Sequence, residues 1–451
     1  MILVILLVSL NFSSNFLASE TESEDVNKFV PEQTLSASID KATANTNFNG
    51  TVVISQNTGN SYNVLYEDAA GTKGGYDADT LYDIGSVSKL YTTTAIMLLE
   101  EDGLLNYDDS ITKYLDNVPS DKQDVTIKML LTHTSGIYVD ENEDHQVTKD
   151  QEVNRILSSE LNFEPGSNYV YSNAGFTLLA AIIESASGVE FEQYLTDKIF
   201  EPLNLEKTGF PNSDYLHDIP AVNGTLDGIN YGPVNNLDFG WYSKGYTDII
   251  STPREITYFF QALISGNVVS YDNLDLMNSN QMDLGNGRYR GYGAEVKGLD
   301  SLSQTVGHAG VWYGGNTAVY YRPADEVLFV LTCDELVVGV DLPAIEVYNT
   351  LSTMYPVASL DEEPIISREE INVSDTSYKG QTNSRNDIEV DPLSKESTLS
   401  AMFDQLINLI TLSFSDPTMA MLIICIIAII IIISILVIRR KRWYYLNKAK
   451  K

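Results

Sequence analysis

Thr51 to Ser55 and Tyr62 to Tyr66 are short runs rich in strand-forming residues, and the turn-forming Asn57-Thr58-Gly59-Asn60 lies between them. That pattern predicts an N-terminal hairpin. Helical spacing takes over from Val87 to about Asp102, where Leu90, Ala95, Leu98 and Leu99 recur on one face and Gly103 supplies the stop. Further helical patterns cover Thr126 to Leu131, Gly175 to Ser187, Phe191 to Phe200 and Pro253 to Ser265. After His308 the pattern returns to strands at Thr317 to Tyr321 and Val327 to Thr332, with the turn Arg322-Pro323-Ala324-Asp325 between them. Strands at both ends and helices in the middle predict an α+β fold, a sheet built from distant parts of the chain with an inserted helical region. The cleft between the two is the default place for chemistry.

The ends break this pattern. Pro417 to Ile438 carries no charge and runs through MAMLIICIIAIIIIISILVI, enough to supply the ~20 apolar residues that cross a bilayer core. Arg439-Arg440-Lys441-Arg442 and then Trp443, Tyr444 and Tyr445 form a basic and aromatic flank. By the positive-inside rule this tail is cytoplasmic and the chain before the helix lies outside. Ile2 to Leu10 is a short apolar stretch, followed by polar residues and a small-residue site near Ala18 and Ser19. It reads as a secretory signal, although no Lys or Arg precedes it. From Asp361 the sequence turns polar, with Phe403, Leu406, Ile407 and Ile410 marking a short amphipathic stretch near the membrane. The expected organisation is a signal peptide over 1–19, a folded domain over 20–360, a linker over 361–416, a transmembrane helix over 417–438 and a cytoplasmic tail over 439–451. The protein is expected in the cell membrane, single-pass.

Charge and composition narrow the partners. The 62 acidic and 28 basic residues give a formal charge of −34, and seven of the basic residues sit in Arg439 to Lys451, so the body is more acidic still. Such a body is repelled by nucleic acid, which is discarded as a partner. Cys333 and Cys425 offer no disulfide framework, since the second lies inside the apolar segment. His133, His145, His217 and His308 show no metal-ligand spacing. No metal and no cofactor is expected.

Three short constellations carry chemistry. Ser86-Val87-Ser88-Lys89 puts a hydroxyl and an amine one turn apart at a helix start, where the helix N-terminus favours a developing negative charge. Ser38-Ile39-Asp40-Lys41 has the same spacing and reads as a surface segment, because only the Ser86 copy follows a strand and Gly85. Tyr171-Ser172-Asn173 stands between a turn and an apolar helix; a tyrosine near lysine can hold a lowered pKa and relay protons. Tyr271-Asp272-Asn273 and Tyr445-Leu446-Asn447 share its spacing. His308-Ala309-Gly310 stands just before the strand-rich end, where a side chain from a strand would face the nucleophile and a glycine would let substrate lie against the strand edge. Each motif alone is weak, and a lone histidine is more often structural. The case rests on all three in one order.

In that order the motifs resemble those of class C β-lactamases, D-alanyl-D-alanine carboxypeptidases and related esterases. Leu130-Leu131-Thr132-His133-Thr134-Ser135-Gly136-Ile137 and Glu201-Pro202-Leu203-Asn204-Leu205 are also similar to stretches of that family, and the resemblance covers about Asn47 to Tyr348. It implies a β-lactamase/transpeptidase-like fold, an antiparallel sheet flanked by helices plus a helical subdomain, with the active site between them. It implies Ser86 as acylated nucleophile, Lys89 as base partner, Tyr171 as proton relay and Asn173 orienting Lys89 and the substrate amide. His308 would stand where many members have lysine. The N–H groups of Ser86 and Val311, beside Gly310, would form the oxyanion hole. Histidine in the third motif leans toward the carboxypeptidase and esterase branches, and Ala309 lacks a threonine hydroxyl. The expected substrate is a small molecule, peptide or ester, cell-wall peptide among them. The rivals are a carboxylic esterase on the same fold and a non-catalytic membrane-anchored binding or regulatory protein.

Overall fold

Val327–Cys333 is buried at every position, and the reason is cover on both faces of its sheet. Leu328 and Val330 join Val53 and Val319 in the core on one face, while Val327, Phe329 and Leu331 join Val52, Ile54, Ala318 and Tyr320 in the core on the other. Side chains alternate with period two, so a strand covered twice reads as one apolar run.

The computed structural model describes residues 32–354, apart from 44–45, 47, 59–60, 72–75, 141–146, 227–228, 238–239, 280, 299–303, 313–314 and 335–342. In chain order its elements are α1 (Glu32–Thr43), β1 (Asn49–Asn57), β2 (Tyr62–Gly71), β3 (Tyr82–Asp83), α2 (Ser88–Glu101), α3 (Ile127–Leu131), α4 (Lys149–Leu157), α5 (Asn173–Ser187) and α6 (Phe191–Leu195). Then follow β4 (Asn223–Leu226), β5 (Ile229–Pro233), β6 (Ile250–Ser251), α7 (Pro253–Ile264), α8 (Tyr271–Asn278), β7 (Met282–Gly285), β8 (Arg288–Arg290), β9 (Glu295–Lys297), β10 (Thr305–Trp312), β11 (Gly315–Arg322), β12 (Val327–Cys333) and α9 (Pro343–Met354).

Eight strands form one sheet in the order β2-β1-β12-β11-β10-β9-β8-β7. The pairing is antiparallel throughout, and β1 meets β12 with Val53 opposite Val330. Leu35 and Ile39 of α1 and Val347, Tyr348 and Leu351 of α9 cover one face. On the other face α7 packs against β1 and β12, and apolar residues of α2, α5 and α7 join the sheet's in the larger core. This is the expected α+β arrangement. The hairpin is longer than its apolar signal, and the predicted Phe191 to Phe200 helix is α6 followed by a wider π turn over Thr196–Phe200.

The second Ser-x-x-Lys, read as a surface segment, lies in α1, with Asp40 and Lys41 exposed, Ser38 half-buried and Ile39 buried in the core on the far side of the sheet. His308, expected on a strand just before the strand-rich end, sits inside β10, whose extent glycines and polar residues made hard to recognise. The signal, linker, transmembrane and tail segments lie outside the described residues.

Candidate active site

Ser86 stands on a single 3-10 turn, Gly85–Val87, that runs into α2. Gly85 has φ +53° and Asp83 Oδ1 accepts its N–H at 2.8 Å. Burial pushes the Asp83 carboxyl well above its usual range. Lys89 follows one turn on, fully buried, and its Nζ donates to Ser86 Oγ at 2.9 Å and to the Tyr246 carbonyl at 3.3 Å. The rings of Tyr171, Tyr246 and Phe176 surround that ammonium at 4.9, 5.1 and 5.6 Å, a cage that attracts a cation to the ring faces. The loop carrying Tyr246 is pressed between α2 and α5. Thr92 Oγ1 donates to the Gly245 carbonyl at 2.7 Å, and a Cβ on Gly245 would come within 2.5 Å of the Phe176 carbonyl oxygen.

Tyr171 reaches the same oxygen from the start of α5, donating to Ser86 Oγ at 3.0 Å. Ser172 caps that helix by accepting from the Gly175 N–H, so Asn173 becomes its first residue. The expected lowering of the Tyr171 phenol is not found. Burial pushes it above the ordinary tyrosine range, and the Arg290 charge and the Ser86 hydroxyl pull it back only in part.

Opposite stands β10. A Cβ on Gly310 would lie 1.9 Å from the Ile84 carbonyl oxygen and 3.0 Å from Ser86 N, and one on Gly85 would lie 2.5 Å from Val311 N. The strand and the Ser86 turn therefore touch backbone to backbone, which only glycine allows. The amides of Ser86 and Val311 lie on these adjoining segments.

His308 pairs across β10–β11 with Val319 of the core that includes α2, so it lies on the sheet face toward Ser86. Among the described residues its ring nitrogens meet Arg290 and its own strand. Arg290 Nη1 lies 3.5 Å from Nε2, and Nδ1 lies 2.6 Å from the Ala309 carbonyl. A guanidinium can only donate, so Nε2 accepts, the proton sits on Nδ1 and the imidazole is neutral. Burial lowers its pKa to about 3, with Glu295 opposing and Arg290 assisting. The ring centroid is 6.3 Å from that of Tyr171.

The charge on this side belongs to Arg290, a buried residue of β8 that sequence reasoning missed. It donates through Nε to Tyr169 OH at 3.0 Å, pairs with Glu295 at 3.1 Å and lies 5.2 Å over the Tyr171 ring. Glu295 also holds Lys297 at 2.9 Å and accepts from Tyr320 OH at 2.8 Å. Burial alone would raise the Glu295 carboxyl, but Lys297 and Arg290 hold it well below the usual range. The only signal in the sequence was Arg288-Tyr289-Arg290, two arginines two apart in a very acidic chain. A separate cavity of about 200 Å³ beside Glu192, Trp241, Lys244 and Asp248 contains none of these residues.

The Beta-lactamase family profile matches residues 35–343. Penicillin-binding protein 4* of Bacillus subtilis (strain 168) is 30% identical over 307 residues, covering 60% of this chain and 64% of that protein. The chain thus spans less than two thirds of that curated relative. A penicillin binding protein from Bacillus halodurans superposes with TM-score 0.59 at 22% identity, covering 70% of this chain and 100% of that one. A D-amino acid amidase from Ochrobactrum anthropi SV3, complexed with L-phenylalanine amide, does so with TM-score 0.58 at 20% identity over 71% and 99%. At these identities the structures speak for the fold.

Proposed function

Because the chain belongs to the beta-lactamase family, we propose that it is a serine acyl hydrolase that forms an acyl-enzyme on Ser86 from peptide or amide substrates. The observation that carries the reading is the meeting of Lys89 Nζ and Tyr171 OH on one oxygen, Ser86 Oγ, at 2.9 and 3.0 Å. While both partners donate into that oxygen, the Ser86 proton has no acceptor in the pair. Loss of one proton from the pair turns one member into the acceptor, and the two titrate together.

Ser86 Oγ then bonds to the acyl carbon, its proton passes to the pair, and the carbonyl electrons move onto oxygen. The N–H groups of Ser86 and Val311, beside Gly310, would receive that charge. Collapse breaks the bond to the leaving group, which takes a proton through Tyr171. Water repeats the sequence on the ester and releases the acid. Burial of the phenol suits Tyr171 to pass a proton on rather than rest as a phenolate. Asn173 would orient Lys89 and the substrate amide, and neutral His308 would line the strand side.

The relative whose name speaks of penicillin binding supports an amide as the group that Ser86 attacks, and cell-wall peptide is the substrate we propose to test first. The apolar Pro417 to Ile438 segment and the basic run after it support a body outside the membrane and a cytoplasmic tail. Incubation of the protein with a labelled β-lactam, D-amino-acid amides and peptides, and short-chain esters tests the chemistry. Mass spectrometry should find the adduct on the peptide containing Ser86, and an adduct elsewhere refutes the assignment. Turnover of esters alone would move the reading to an esterase. Protease added to whole cells should remove the body while a tag after Lys451 stays protected; protection of the body reverses the topology.

A further inference from the structure

His133 is a buried non-glycine residue with φ +59°, a left-handed backbone that a side chain adopts at a cost. The turn lets one residue offer its carbonyl and its ring to the same stretch of chain. The His133 carbonyl accepts from the Val170 N–H at 3.1 Å, and its Nδ1 accepts from the Ser172 N–H at 3.1 Å. Those are the two amides on either side of Tyr171. The imidazole also lies against the phenol, with centroids 4.6 Å apart. Its neighbours extend the hold: the Thr134 carbonyl accepts from Gly166 N–H at 2.7 Å and the Gly136 carbonyl from Asn162 N–H at 2.8 Å. Gly136, at φ +75°, allows this approach, because a Cβ there would lie 2.2 Å from the Phe163 carbonyl oxygen.

We infer that His133 is a positioning residue for Tyr171, bracketing both flanking amides and the ring so that the phenol oxygen stays on Ser86 Oγ. The inference rests on the reading of Tyr171 as proton relay. It also gives the Leu130–Ile137 stretch a task, since the irregular segment that delivers Tyr171 is held on it by these backbone hydrogen bonds. The hold needs a lone pair on Nδ1. Burial first, and then the charges of Arg290 and Lys89, keep the imidazole well below the usual histidine range, so the lone pair persists at neutral pH.

His133→Asn keeps an acceptor near the position of Nδ1 and tolerates the left-handed backbone. His133→Phe keeps a ring and loses the acceptor. Both are compared with Tyr171→Phe and with the His133→Phe/Tyr171→Phe double variant in the full-length chain. The readouts are kcat and KM per site titrated by covalent label, together with the melting temperature. His133→Phe should lower kcat about 10²-fold, the scale of a misplaced catalytic group, with KM nearly unchanged. His133→Asn should recover most of the loss. The double variant should be little worse than Tyr171→Phe, because groups acting as one unit do not add. A lower melting temperature with unchanged kcat per titrated site overturns the inference, as does a His133→Phe loss that adds in full to that of Tyr171→Phe. A loss in Tyr171→Phe with none in His133→Phe overturns it and leaves the reading of Tyr171 standing. No loss in either overturns both.

Discussion

The helical wall and the strand wall that meet at Ser86 are built by different rules. On the helical wall, Ser86 and Lys89 belong to one turn of chain, and Tyr171 and Asn173 open one helix. Their distances follow from local backbone geometry, and the buried ammonium is caged by aromatic rings. On the strand wall, the register of four strands sets the chemistry. Arg290 of β8 stands opposite Glu295 of β9, Glu295 opposite Gly307 of β10, and Gly307 opposite Tyr320 of β11. Gly307 has no side chain to intervene between Glu295 and the Tyr320 hydroxyl, which meet at 2.8 Å on the sheet face that α9 covers, behind the wall that Ser86 faces. One wall moves protons at a single oxygen. The other holds fixed charge and a neutral histidine.

If that division is right, the largest losses come from the helical wall. Ser86→Ala should abolish covalent labelling and turnover, while Ser38→Ala, in α1 across the sheet, should leave both intact. Lys89→Ala should cost nearly as much, because the residues act as a unit. Retained labelling in Ser86→Ala, read by mass spectrometry, would break the comparison at its base.

The seam between the walls should rank next. Gly310→Ala puts a Cβ within 1.9 Å of the Ile84 carbonyl oxygen, so β10 or the Ser86 turn must shift and the Val311 amide with it. The expected loss is about 10²–10³-fold in acylation rate, comparable to losing an oxyanion donor. A labelling rate like that of the native chain would show that the seam is not needed.

What could be read from the sequence divides along the same line. The Ser86–Lys89 spacing is three residues, and one helical turn turns it into a 2.9 Å contact whatever the rest of the fold does. The α2 helix announces itself by its spacing and the β12 strand by an unbroken apolar run. Arg290 and Glu295 are five residues apart on two short strands, β8 and β9, too short to show a period. Their meeting with His308 depends on pairings with β10 and β11 that no local pattern encodes. The raised Tyr171 phenol was missed for the same reason, because spacing announces a nearby lysine but not how deeply the fold buries the ring. His133 was visible as part of a motif, yet its hold on Val170 and Ser172 depends on a backbone angle.

Arg290→Gln should sharpen the contrast. It leaves the buried Glu295 with Lys297 and Tyr320 but without its guanidinium, and breaking a buried pair typically costs about 3–5 kcal/mol. The loss should fall at the lower end, since those two partners remain. Denaturant titration should show it, while kcat falls far less than in Lys89→Ala. A variant as stable as the native chain but as inactive as Lys89→Ala would place Arg290 with the proton-handling group.

The smallest effect expected is His308→Asn, and it reads out in pH rather than in rate. The His308 imidazole is lowered from 6.5 to about 3, chiefly by burial. Between those values the unfolded chain binds a proton that the folded chain does not, so stability rises with pH there. The contribution is complete above about 6.5 and is lost as pH falls toward 3. The melting temperature of the native chain should therefore drop on acidification through that window. His308→Asn should make the drop shallower without removing it, since buried His133 is lowered as well. Because His308 is neutral throughout the range in which it would ordinarily titrate, kcat/KM should show no limb near 6.5 that vanishes in His308→Asn. Such a limb would mean that His308 carries a proton in the reaction, and the strand wall would then share in the chemistry now assigned to the helical one.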